Sequence, residues 1–148
     1  MRRYSFGVAD APLLERLRER GWRLTPQRRA VAHVLEGEHT HLTAEEVLDR
    51  ARRVVPEVSL ATVYNTLKEL VSMAEVLEVR AAPGPLRYDP NVARAHHHLV
   101  CRACQILYDV HPRGVRQLAL GEDDRRGFRV DEVEVTFSGL CPACATGP

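Results

Sequence analysis

Residues 95–109 read AHHHLVCRACQILYD, placing three histidines, two cysteines and an aspartate in one short apolar stretch. Read as an extended strand, residues 95–101 alternate their side chains, so His96 and His98 share one face while His97, Leu99 and Cys101 point the other way. One strand can therefore feed two sites. Cys101 and Cys104 form a CxxC knuckle with a counterpart in Cys141 and Cys144, and residues 105–140, 36 in number, lie between them. Two matched knuckles supply the four thiolates of a tetrahedral zinc centre. Such a centre is closed and redox-inert, and its role is to fold a domain too small to hold itself together. A redox dithiol is the competing reading. It is set aside because neither CxxC opens a helix after a buried strand in a thioredoxin-like unit.

The imidazoles of His96 and His98 are left for a different site. Asp109 ends the adjacent return strand, and Asp89 lies just before a polar, proline-containing connection. Two neutral histidines with two carboxylates neutralise a divalent ion and form an N/O set suited to iron or manganese, with zinc and nickel compatible by affinity. His97 faces away and is not assigned as a ligand. His33, His39 and His111 lack any spacing argument and are read as structural.

Working outward, 148 residues suffice for one domain or two small ones. A hydrophobic content of 45% with a net charge of +1 suits a soluble globular chain. No apolar run reaches membrane length, and residues 1–12 lack the apolar core of a signal peptide, which places the protein in the cytoplasm, without a membrane partner. Thiols are kept reduced there, so the cysteines read as metal ligands and not disulfides. The small net charge hides an asymmetry. Residues 1–30 hold eight arginines against Asp10, Glu15 and Glu19, a local excess of +5. That block fits a phosphate-facing surface, or more simply a solvated helix face. Lys68 is the only lysine.

Pattern and capping signals predict four helices before the metal-rich stretch. The first runs over residues 12–20, with Leu13, Leu14 and Leu17 at helical spacing and Gly21 as its stop. Thr25 followed by Pro26 opens the second, whose buried stripe is Ala30, Val31, Val34 and Leu35 and whose stop is Gly37. Thr43 and Glu46 form a capping box for the third, which carries Val47, Leu48 and Ala51 inward as far as Arg53. Ser59 caps the fourth, with Leu60, Val63, Leu67, Leu70 and Val71 on one side. Its other side presents Thr62, Tyr64, Asn65 and Lys68, groups able to meet phosphates and base edges. Strand-like runs at 75–80 and 86–89 flank a turn cluster at 81–85. Helices followed by a hairpin give the order of a winged helix-turn-helix; a small α+β domain with a merely amphipathic fourth helix shares that pattern. Residues 89–94 read as a hinge. Beyond the knuckle, a return strand is expected at 105–110, a helix at 115–120, a polar loop at 121–127 and a strand carrying Val130, Val133, Val135 and Phe137.

Taken together, RLTPQR ending at Arg28, HLTAEE from His41, SLATVY from Ser59, RYD from Arg87, HHHLVCRAC from His96 and CPAC from Cys141 make the sequence similar to the ferric uptake regulator family of metal-dependent bacterial repressors. The likeness runs from about Leu14 to Ala145. It implies an α+β protein: an N-terminal winged helix-turn-helix domain over 1–90, a hinge at 91–95, and a small α/β dimerisation domain over 96–148 with a four-cysteine zinc site. It implies a homodimer on AT-rich palindromic operator DNA. It also adds His41 to Asp89, His96, His98 and Asp109 as the regulatory set, so that one Fe2+ or Mn2+ would clip the two domains across the hinge. Operator contacts would come from Ser59, Thr62, Tyr64, Asn65 and Lys68 in the major groove, and from Arg23 and the arginine block at phosphates or the minor groove.

Within the family the chain most resembles the peroxide-sensing branch, by the aspartate at 109 and by Asn65 after Tyr64. That resemblance implies iron-catalysed oxidation of a ligand histidine, His41 or His96, by hydrogen peroxide, followed by loss of metal and of DNA. The alternative is an iron-, zinc- or manganese-uptake regulator without peroxide chemistry. Residues 130–134 lack the histidines that some members use for a further metal, so no third site is expected there. No enzyme activity or small organic substrate is expected. A zinc nucleobase deaminase needs Pro-Cys-x-x-Cys with an upstream His-x-Glu; here Pro142 follows the cysteine and no His-x-Glu occurs. A zinc-ribbon interaction module would leave the first ninety or so residues without a purpose.

Overall fold

Local sequence signals begin the N-terminal unit. In the computed structural model, which describes residues 12–36, 41–81, 84–93 and 95–147, α1 (Leu13–Glu19) is closed by Gly21 at φ +68°. The Gly21 and Trp22 amides donate to the carbonyls of Arg18 and Leu17, a paired C-terminal cap that needs the left-handed backbone glycine adopts freely. α2 (Pro26–Leu35) starts at Thr25, whose hydroxyl accepts from the Arg28 amide. α3 (Ala44–Arg52) has the full reciprocal capping box of Thr43 and Glu46. α4 (Leu60–Ser72) is capped by Ser59. Gly37 and His39 lie outside the described residues, as do Arg2, Arg3, Arg94 and part of the 81–85 turn.

These four helices enclose one apolar core in which Leu17, Val31, Leu35, Val47, Val63, Leu67 and Leu70 are completely buried. Leu60 departs from expectation. It is 38% exposed, and Thr66 takes a core position instead. Behind α4, β1 (Leu77–Val79) and β2 (Arg87–Asp89) pair antiparallel as a short wing, and Leu42 bridges to Tyr88 on its outer edge. The C-terminus of α4 resembles that of α1, but the left-handed position is held by Ala74 at φ 57°. This turn directs Glu75 back onto α1, where Arg16 Nε and Arg20 Nη1 meet its two carboxylate oxygens at 2.7 and 2.8 Å.

The chain divides into two compact units, the second beginning at His96. There β3 (His97–Cys101) is the central strand of three, antiparallel to β4 (Leu107–Val110) and parallel to β5 (Thr136–Gly139). Two short helices complete the unit, α5 (Glu122–Arg125) and α6 (Pro142–Ala145). The expected helix at 115–120 reduces to a single 3-10 turn over Val115–Gln117, and the expected polar loop at 121–127 contains α5. The expected strand from Val130 starts only at Thr136. The cause is common to all three. Leu118, Leu120, Phe128, Val130 and Val133 are exposed, so their apolar spacing records no burial in this unit and holds no helix or strand in register.

Candidate metal centres and nucleic-acid interface

The bridge between Leu42 and Tyr88 is closed by two backbone hydrogen bonds, Leu42 N–H to Tyr88 O at 3.3 Å and the reverse at 2.8 Å. Antiparallel pairing then sets His41 across from Asp89. His41 Nε2 lies 3.4 Å from Asp89 Oδ2, and both side chains are buried. The other carboxylate oxygen of Asp89 accepts from the Asn91 amide at 2.8 Å, which fixes the carboxylate plane.

In the second unit the register does the same work. His98 stands directly opposite Asp109 across β3 and β4, and His96 lies two residues back on the same face. Asp109 Oδ1 is 3.5 Å from His96 Nε2 and 3.7 Å from His98 Nε2. The two imidazoles meet edge to face with centroids 5.0 Å apart. A borderline divalent ion holds nitrogen and oxygen donors at about 2.0–2.2 Å, which sets neighbouring donors roughly 3–3.5 Å from one another. The separations of 3.4 and 3.5 Å meet that requirement and the 3.7 Å between His98 and Asp109 lies just beyond it, while the mixed imidazole and carboxylate chemistry fits iron or manganese. His97 is turned away from this set, as alternation predicts. Its Nδ1 accepts from the Val135 amide at 3.1 Å.

The four cysteine sulfurs converge, all within 4.8 Å of one another. Cys104 Sγ and Cys141 Sγ are 3.7 Å apart, close to the edge of about 3.8 Å that a tetrahedron with zinc–sulfur bonds of about 2.3 Å requires. Parallel pairing of Cys101 with Gly139 brings the knuckles together, and the Cys141 amide donates to Cys101 Sγ at 3.3 Å. Backbone amides of Cys104, Cys141 and Ala103 lower the Cys101 thiol to about 6, which favours the thiolate that zinc binds. Cys144 is raised to about 12 by hydrogen bonds with Cys141, Cys104 and Cys101, which compete for the same negative charge. The donor set is that of a structural zinc site.

On α4, Tyr64, Asn65 and Lys68 are exposed and Thr62 is half-buried. Ser59 and Thr62 also have local duties: the hydroxyls meet at 2.9 Å, and Ser59 accepts from the Thr62 amide. Tyr64 donates to Glu45 Oε1 at 3.2 Å, and that hydrogen bond, with the nearby carboxylate charge, raises its hydroxyl above the ordinary value. The arginine block proves heterogeneous. Arg16 and Arg20 are bound to Glu75, while Arg28 stacks 4.1 Å over the Trp22 ring and pairs with Glu69. Arg18, Arg23 and Arg29 keep part or all of their side chains in solvent. Sequence reading missed Glu45, Glu69 and Glu75 because each acts on a partner far away in the chain.

A sequence model described as the ferric uptake regulator family matches residues 19–138. The chain belongs to the ferric uptake regulator family. It is 34% identical over 131 residues to the transcriptional regulator FurA of Mycobacterium tuberculosis, covering 88% of each chain. It is equally 34% identical over 131 residues to the peroxide-responsive repressor PerR of Staphylococcus epidermidis, covering 86% of this chain and 85% of that one. Among solved structures, a zinc-bound manganese uptake regulator matches with a TM-score of 0.71 at 26% identity, over 88% of this chain and 99% of the other. This Fur-family chain is a metal-responsive transcriptional regulator. Among the described residues, no helix is long and apolar enough to cross a membrane.

Proposed function

We propose that this Fur-family chain is a metal-dependent repressor that acts as a homodimer on palindromic operator DNA and takes hydrogen peroxide as its signal. One observation carries the metal dependence. The N/O donors come as two incomplete sets, His41 with Asp89 in the winged unit and His96, His98 and Asp109 in the C-terminal unit. Two or three protein donors leave a divalent ion undercoordinated. One ion taking all five would restrict the angle between the units, and so remove the penalty of selecting a rare DNA-competent arrangement from many. Cys101, Cys104, Cys141 and Cys144 hold zinc and fold the pairing half.

A homodimer is favoured by the outer face of the three-stranded sheet. Leu99 is in register with Tyr108 on one side and Phe137 on the other, and all three are exposed. An apolar patch of this kind, in a unit with few buried apolar side chains, is an interface in search of its second copy. For DNA, α4 would present Thr62, Tyr64, Asn65 and Lys68 to the major groove, with Ser59 at its start and Arg23 near phosphates or the minor groove.

The peroxide reading is supported by Asp109 and Asn65, the two residues by which the chain resembles the peroxide-sensing branch. Iron(II) held by these residues would catalyse cleavage of the peroxide O–O bond. The ring of His41 or His96 would lose two electrons in gaining one oxygen atom, the other peroxide oxygen would leave as water, and the oxidised ring would be a poorer ligand. Anaerobic operator-binding titrations with Fe2+, Mn2+, Zn2+ and Ni2+ separately, each followed by peroxide, test the whole reading. Binding restored by Fe2+ and Mn2+, and lost to peroxide only with Fe2+, is expected, together with a one-oxygen mass gain on a peptide containing His41 or His96. Retained binding after peroxide would return the protein to the alternative, an uptake regulator answering to metal supply alone.

A further inference from the structure

Three contacts between β3 and the segment entering β5 converge behind His98. The His98 amide donates to Val135 O at 3.1 Å, and the Val135 amide donates to His97 Nδ1 at 3.1 Å. Val135 is thus held at both backbone groups by consecutive histidines, which fixes the residue before it. That residue is Glu134, whose Oε1 comes to 3.5 Å from His98 Nδ1. Nε2 of the same ring faces Asp109 at 3.7 Å.

A neutral imidazole has one N–H and one lone pair, and the group at one nitrogen decides which of them the other nitrogen offers. A carboxylate at Nδ1 keeps the proton there and leaves the lone pair at Nε2, on the side of the donor set. Histidines that bind metals are commonly oriented this way, through a partner on the remote nitrogen.

We propose that Glu134 is a positioning residue for the regulatory metal: closing from its 3.5 Å approach, it accepts the Nδ1–H of His98 when the ion binds and presents the Nε2 lone pair to that ion, while His97 holds the Glu134 backbone through Val135. This rests on reading His98 as a ligand. It gives work to a histidine that points away from the donor set, and to an acid in a stretch otherwise notable only for lacking ligands. The Glu134 side chain is 61% exposed, so its effect belongs at the low end of the 10–100-fold range for such partners.

The test uses the full-length, zinc-loaded protein with Mn2+ alone as probe, its affinity read by competition against a chelator. Glu134→Ala should weaken Mn2+ binding about tenfold, and Glu134→Gln, whose amide oxygen still accepts, should recover most of that loss. His98→Ala should abolish tight Mn2+ binding, and zinc content should be unchanged throughout. Rescue by Glu134→Gln is the readout that a merely structural role would not give, since both variants remove the charge and only Gln keeps the acceptor. Wild-type affinity in Glu134→Ala alongside loss in His98→Ala would overturn the positioning role while leaving the site intact. Wild-type affinity in His98→Ala would overturn the site itself. Equal losses in the Ala and Gln variants would overturn the hydrogen-bond account.

Discussion

Individual residues in this chain take their roles from partners that are remote in sequence. Glu75 is the clearest case. Burial raises the cost of its charge, but hydrogen bonds and charges from Arg16 and Arg20 outweigh that, and its carboxyl lies below the ordinary value of 4.5. A folded value below the unfolded one means the pairing stabilises fully above about pH 4.5 and is lost as pH falls through the folded value. Glu75→Gln should therefore cost roughly 3 kcal/mol at neutral pH, since it strands the buried Arg16 charge. The gap from wild type should shrink as the pH falls below 4.5 and through the folded value. Urea unfolding followed by fluorescence of the single tryptophan, Trp22, measures both. The sequence alone does not reveal this pairing, because Glu75 lies 59 positions after Arg16. The donor residues were legible: strand alternation put His96 and His98 on one face, and β-sheet register then set Asp109 against them.

At the scale of elements, legibility followed locality. The caps at Thr25, Thr43 and Ser59 were readable because each hydrogen bond closes within three residues. Residues 115–137 were not, because their apolar positions face no core within their own unit, and hydrophobic periodicity reports burial only where burial occurs. Leu60 failed similarly: at the first turn of α4 it is 38% exposed, although Val58 before it and Val63 after it are buried. One element carries a removable cost. The α4 C-terminus uses Ala74 where glycine is normally favoured, and a β-carbon in that backbone region costs on the order of 1 kcal/mol. Ala74→Gly should stabilise the winged unit by up to about 1 kcal/mol, partly offset by chain entropy in the unfolded state, and should show as a later urea midpoint with unchanged slope.

For the molecule as a whole, the two units are stabilised differently. Every member of the main core cluster lies in the winged unit. Among the described residues from 96 onward, the buried apolar side chains are Val100, Cys101 and Leu107. The C-terminal unit should accordingly depend on its metal and on a second copy. Cys144→Ser should lower zinc content and abolish cooperative unfolding of this unit while Trp22 still reports a folded winged unit, as calorimetry beside fluorescence would show. Phe137→Glu should shift the protein from dimer to monomer in sedimentation without releasing zinc. β3 carries Cys101 at one end and the histidines at the other, so chemical damage to either end has a mechanical route to its neighbour. On the proposed function, a thiol-specific oxidant such as diamide that releases the zinc should then also cost operator binding with every imidazole unmodified, so that sulfur injury alone would reach the same output.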